Sequence, residues 1–164
     1  MKSLATLLTI AVSAISMTAY ADATLKLEGI HNCCKKCEKG IVDAVATVPG
    51  ASAVATKTSV TITAKSDEDT KKAAAALVSA GYYGKGAEAP AAVDSAKTKS
   101  ATVGGVHLCC PKCADAANKA ASSVAGVTKS SATKGEKSFT VEGDFSKADL
   151  QAALLKAGFS GTIQ

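Results

Sequence analysis

Gly29-Ile30-His31-Asn32-Cys33-Cys34-Lys35-Lys36-Cys37 is answered, seventy-six positions later, by Gly105-Val106-His107-Leu108-Cys109-Cys110-Pro111-Lys112-Cys113. The two windows hold all six cysteines and both histidines of the chain. An accident of composition does not gather every soft or borderline donor into two matching stretches. The chain therefore carries a duplicated site, and its flanks are to be read as two copies of one unit.

Before the first window, Leu25 and Leu27 alternate and Ile30 follows after a slip at Gly29, which predicts a strand over 24–30. After it the period changes. Cys37, Ile41, Ala44, Val45 and Val48 recur at three and four, so a helix runs from Cys34 to Val48 and stops before Pro49-Gly50. Thr- and Val-rich stretches at 51–56 and 58–64 read as two strands joined by a turn at Lys57-Thr58-Ser59. Ser66-Asp67-Glu68-Asp69 has capping-box form and opens a helix to Ala80, stopped by Gly81. Tyr82-Tyr83 leaves room only for a brief last strand.

The order then recurs: a strand at 101–106, an Ala-rich helix from Pro111 to Ala125, strands at 127–133 and 137–142, a helix from Ser146 to Ala157, and a closing strand at 159–163. Two β-α-β-β-α-β units of this length predict an α+β fold of two tandem ferredoxin-like domains. The stretch from Gly84 to Lys99, rich in Ala, Gly, Ser and Lys, reads as a linker, which sets the units at 22–84 and 100–164 with 85–99 between them. Each unit has about 65 residues, near the lower limit for a self-sufficient core. With much Ala and no Trp, those cores lean on Val, Ile, Leu and a few Phe and Tyr.

Residues 1–21 are set aside as a signal peptide: Lys2, an apolar run from Leu4 to Met17, and Ala19-Tyr20-Ala21 as a small-x-small cleavage site. The run is too short and too often broken by Ser and Thr to span a membrane. The mature chain is then expected in the periplasm or outside the cell, with no membrane insertion. All 19 basic residues are Lys, so there are no guanidinium forks for phosphates or base edges. The charge is mild and aromatics are scarce, which disfavours nucleic acid.

The chemistry sits where the first strand of each unit hands over to its first helix. A helix N-terminus carries unpaired N–H groups and partial positive charge, which favour thiolate over thiol. Lys35, Lys36, Lys39, Lys112 and Lys119 lie close in sequence and are expected to add to that effect. Thiolates suit Cu(I), Zn(II) or another thiophilic ion. Cys34 with Cys37, and Cys110 with Cys113, can each face one ion. His31 and Cys33, with His107 and Cys109, could raise the coordination number, and Cys₃His is a closed zinc set. Neighbouring side chains ordinarily point apart, so Cys33 and Cys109 are read either as thiols behind the ligands or as acceptors during transfer. Three other readings compete: structural disulfides, a dithiol redox carrier, and an adaptor with inert cysteines.

At these residues the chain resembles the heavy-metal-associated (HMA) domain family. Its motif is Gly-Met-x-Cys-x-x-Cys after the first strand, with an Ala-Gly-aromatic turn after the second helix. Cys34-Lys35-Lys36-Cys37 and Cys110-Pro111-Lys112-Cys113 match the first element, and Ala80-Gly81-Tyr82 and Ala157-Gly158-Phe159 the second. The loops depart from it. Each is two residues longer, Ile30 and Val106 stand in for the Met plug, and a His and a third Cys are added. The resemblance implies binding of a thiophilic ion at Cys34/Cys37 and Cys110/Cys113, with Tyr82 and Phe159 capping the loops. The duplicated motif on a strand-to-helix loop, with no catalytic base or nucleotide loop beside it, makes a non-enzymatic carrier or buffer the leading expectation. The resemblance also implies a metal-accepting partner such as a membrane metal transporter. One ion per site, or one centre shared by both, are equally open.

Overall fold

In a computed structural model that describes residues 22–164, two antiparallel sheets each carry two helices. The signal segment read at 1–21 lies outside the described residues. The first half contains β1 (Ala23–Glu28), α1 (Lys35–Ala46), β2 (Ser52–Ala55), β3 (Ser59–Ala64) and α2 (Asp67–Ser79). The second contains β4 (Lys97–Gly104), α3 (Pro111–Ser122), β5 (Val127–Ser130), β6 (Ser138–Ser146), α4 (Lys147–Lys156) and β7 (Thr162–Ile163). The sheet orders are β1-β3-β2 and β5-β6-β4-β7.

The helices form for the reasons legible in the sequence. Cys37, Ile41, Ala44 and Val45 make the buried stripe of α1. Ser66 Oγ accepts from the Asp69 N–H at 3.1 Å to start α2, and Ser146 Oγ accepts from the Asp149 N–H at 3.3 Å to start α4. The two cores fill the same space differently. In the first half Ile41 and Val45 come from the helix and meet Val60 and Ile62 on the sheet. In the second the helix offers only Ala117 and Ala121, and the missing volume is supplied by Phe139 and Phe145 from β6. Such volume-conserving exchange keeps an interior at its normal density.

Three differences from the sequence reading bear on the site. The segment at 82–83 is not a strand of the first sheet. Tyr82 instead bridges to Phe159 of the other half, Tyr83 N–H donates to the Gly158 carbonyl at 3.0 Å, and Ser160 N–H donates to the Gly81 carbonyl at 3.1 Å. The pairing with β1 is taken by Lys85, whose N–H and carbonyl both bond to Glu28. The linker is also tied down: the Gln151 side chain accepts from the Val93 N–H and donates to the Ala91 carbonyl at 2.9 Å. β4 accordingly begins at Lys97, four residues earlier than expected.

The halves meet along a seam with near-twofold character. Gly81, at φ +90°, lies against the backbone of Gly105, Val106 and His107, while Gly158, at φ +87°, lies against Gly29, Ile30 and His31. At both places a Cβ would strike backbone, and the left-handed conformation favours glycine besides. The turn after the second helix of each half thus grips the cysteine loop of the other.

Candidate metal centre

Each cysteine loop is anchored and then stretched. Ile30 and Val106 are buried as apolar plugs at the strand ends. The chain runs extended into Cys34 (φ −161°, ψ 167°) and Cys110 (φ −147°, ψ 166°), the residues that precede the first turns of α1 and α3. Cys37 and Cys113, one turn on, point to the interior and are fully buried. Cys33, Cys34, Cys109 and Cys110 are half-buried around them.

The seam brings all six sulfurs into one cluster of free thiols. Within each half, Cys34 Sγ lies 3.6 Å from Cys37 Sγ, and Cys110 Sγ 3.5 Å from Cys113 Sγ. Between halves the approaches are as short: Cys33 to Cys110 3.3 Å, Cys37 to Cys109 3.4 Å, Cys33 to Cys113 3.5 Å and Cys37 to Cys113 3.6 Å. Sulfurs that share one ion at about 2.3 Å are roughly 3.8 Å apart in a tetrahedron. The cluster already has that spacing, and the two loops form one place. Cys33 also departs from expectation. The extended backbone at Cys34 lets the sulfurs of Cys33, Cys34 and Cys37 come within 4.8 Å of one another.

The histidines are crossed over. His31 stacks on Phe159 with ring centroids 4.6 Å apart, and His107 stacks on Tyr82 at 4.4 Å, each imidazole lying on the aromatic ring of the other half. Tyr82 and Phe159 therefore cover the partner loop, and Tyr82 is also tied to its own by a hydroxyl bond to the Cys37 carbonyl at 3.2 Å. Nε2 of both histidines is buried without a hydrogen-bond partner. A buried, unpaired ring nitrogen is costly, and burial lowers the pKa of both, that of His107 also through His31. They are neutral and available as donors. His31 forms a close group with Cys33 and Cys113; His107 belongs to none of the close donor groups among the described residues.

The thiols are not equivalent. Cys34 is lowered to about 6, first by the backbone N–H of Cys37 at the start of α1, with further help from the Cys37 and Cys109 thiols. No hydrogen bond of regular geometry closes that cap, so the effect is the polar field of the free N–H groups. Burial raises Cys110, but the Cys113 N–H and the Cys33 and Cys113 thiols together bring it below its ordinary value. Burial pushes Cys33 up to about 12, helped by Cys110, and burial likewise raises Cys109 and Cys113. The lysines do not contribute as expected from the sequence: backbone and sulfur neighbours set the Cys34 value, and the Lys39 ammonium is bound to Asp43 at 2.7 Å.

Sequence patterning could not show two features that support the centre. Gly40 leaves room on α1 for the Tyr82 hydroxyl, which a Cβ there would strike. Asn118 on α3 accepts from Ala132 N–H and Ser130 Oγ and donates to the Ala132 carbonyl, fixing the helix that carries Cys113.

Fold and site together define a class: an α+β protein whose cysteine cluster suits a bound metal ion. No protein-family model matches the chain, and no curated protein matches it. Among solved structures, the chain is similar to the N-terminal soluble domains of Bacillus subtilis CopA, at 18% identity over 88% of this chain and 95% of that one, with a TM-score of 0.35.

Proposed function

We propose that this chain is an exported, non-enzymatic protein that carries or buffers a thiophilic metal ion, Cu(I) or Zn(II) by donor chemistry. In this reading it is built as two ferredoxin-like domains, 22–84 and 100–164, after a signal peptide. The observation that carries it is the convergence of six free thiols at ligand spacing. Neutral thiols packed at that distance gain little from one another, whereas thiolates bind soft cations strongly. Two buried imidazole nitrogens without partners add to the same need.

Exchange follows from the gradient of exposure. Cys34 and Cys110 lie half-buried at the rim, and the pKa of each is lowered from the usual thiol value, so they are the first thiols an arriving ion meets. Cys37 and Cys113 form the floor. An acceptor thiolate would reach the rim first and displace ligands one at a time, as in thiol exchange at sulfur. The acceptor proposed is a metal transporter or another soluble metal-binding protein. Among the described residues no helix is long and apolar enough to cross a membrane.

The experiment is a titration of reduced, metal-free protein with Cu(I), Zn(II) and Hg(II) against competing chelators. Tight binding is expected, and is lost in a Cys34→Ser/Cys37→Ser/Cys110→Ser/Cys113→Ser variant. Equal affinity in the two proteins would refute the proposal.

A further inference from the structure

The donors do not divide into two sites. Four groups of three have all their ligand atoms within 4.8 Å: His31/Cys33/Cys113, Cys33/Cys34/Cys37, Cys34/Cys109/Cys110 and Cys37/Cys109/Cys113. Three of the four draw on both halves. Five sulfurs, those of Cys33, Cys34, Cys37, Cys109 and Cys113, each belong to two groups, and only Cys110 and His31 belong to one. Mononuclear sites do not share ligands. Shared sulfurs are what a cluster with bridging thiolates requires.

Resting on the metal-binding reading above, we infer that the six cysteines hold one polynuclear cuprous cluster of up to four Cu(I) ions, with five bridging thiolates and Cys110 and His31 as terminal ligands. Three-donor groups suit Cu(I), a monovalent d¹⁰ ion that forms stable trigonal thiolate complexes. Zn(II) in structural sites calls for four. Charge points the same way. Six thiolates around a single ion would leave a large uncompensated negative charge where Cys37 and Cys113 are fully buried, and burying unpaired charge is strongly unfavourable. Four monovalent cations reduce six negative charges to two. As each Cu–S bond forms, a thiol that still carries its proton releases it to solvent, and no electron moves.

The geometry also makes loading a joint act of both halves, because Cys33 and Cys37 of the first half have their nearest sulfur neighbours, at 3.3 and 3.4 Å, in the second. The test is anaerobic titration of the reduced protein with a Cu(I)–acetonitrile complex, read by native mass spectrometry and by copper X-ray absorption. The expected result is a jump from metal-free to four-copper protein with one- and two-copper species scarce, together with a short Cu–Cu vector. Cys33→Ser should lower copper number for the whole chain and remove the jump, with its metal-free circular dichroism unchanged. Stepwise filling to two coppers with no Cu–Cu vector would overturn the cluster and leave the carrier reading standing. No copper retained against a chelator would overturn both.

Discussion

Tyr82 lies against His107 across the seam, ring centroids 4.4 Å apart and planes inclined by 29°, while its hydroxyl bonds to the carbonyl of Cys37 in its own half. One side chain thus links the backbone of the residue that carries the buried thiol of one loop to the imidazole of the other. Gly40 makes this geometry available. The matching positions in the second half are Ala116 and Phe159, where no hydroxyl has to be accommodated.

A thermodynamic cycle follows from that pairing. Gly40→Ala gains about 1 kcal/mol of helix propensity but drives a methyl into the Tyr82 hydroxyl, an overpacking cost of about 1–3 kcal/mol. Tyr82→Phe alone loses about 1 kcal/mol of hydrogen bond. The double variant, which copies the Ala116/Phe159 arrangement, keeps the propensity gain without the clash. Urea unfolding of the reduced proteins should show Gly40→Ala less stable than the parent and the double variant more stable than the two single costs sum to. Additive costs would mean that Gly40 is not there for the hydroxyl.

Thiol reactivity should follow acidity and exposure. Cys34, lowered to about 6 by the helix N–H groups, is a thiolate at pH 7, and Cys110 is lowered in the same sense. Cys37 and Cys113 are fully buried. Brief treatment of the reduced protein with iodoacetamide at pH 7, followed by peptide mapping, is expected to label Cys34 first, Cys110 next and the buried pair last. Preferential labelling of Cys37 would contradict the placement of the loop.

Much of this was legible in the sequence because it rests on local physics. The stripe of Cys37, Ile41, Ala44 and Val45, and the caps at Ser66 and Ser146, depend on neighbours three and four residues away. The meeting of Cys33 with Cys110 depends on two segments 77 residues apart, and nothing local to either loop encodes it. Tyr82-Tyr83 illustrates the limit. Two β-prone residues at a sheet edge predict a strand, but the free carbonyl of Gly158 in the other half competed for the Tyr83 N–H and won. The tethering of the linker was equally invisible, since Ala- and Ser-rich composition gives no sign of the Gln151 amide that ties it to α4.

That amide yields a test of the linker. Gln151→Ala removes the bonds to Ala91 and Val93 and leaves the core residues Leu150 and Leu154 in place. Limited proteolysis is expected to cut the variant within 88–96 several times faster than the parent, since cleavage tracks local opening, while the unfolding midpoint shifts little. Equal cleavage rates would show that the linker is held by something other than Gln151.

Metal affinity should rise with pH, and the sign can be worked from the thiols. Cys33, pushed up to about 12 by burial and the Cys110 thiol, keeps its proton at pH 7, and burial holds Cys109 and Cys113 in the same state. Binding must displace those protons, whereas burial lowers the pKa of His31 and His107 and so disfavours their protonated forms. Each proton displaced makes the apparent Kd fall by about tenfold per pH unit. Below about pH 6 Cys34 is protonated too, so one further proton is displaced and the dependence steepens there. Chelator competition from pH 5 to 8, with proton release followed in weak buffer, should give a slope of more than one between 7 and 8 and a larger one below 6. A flat profile would mean that these thiols are already ionised in the metal-free protein, against the burial that the seam imposes on them.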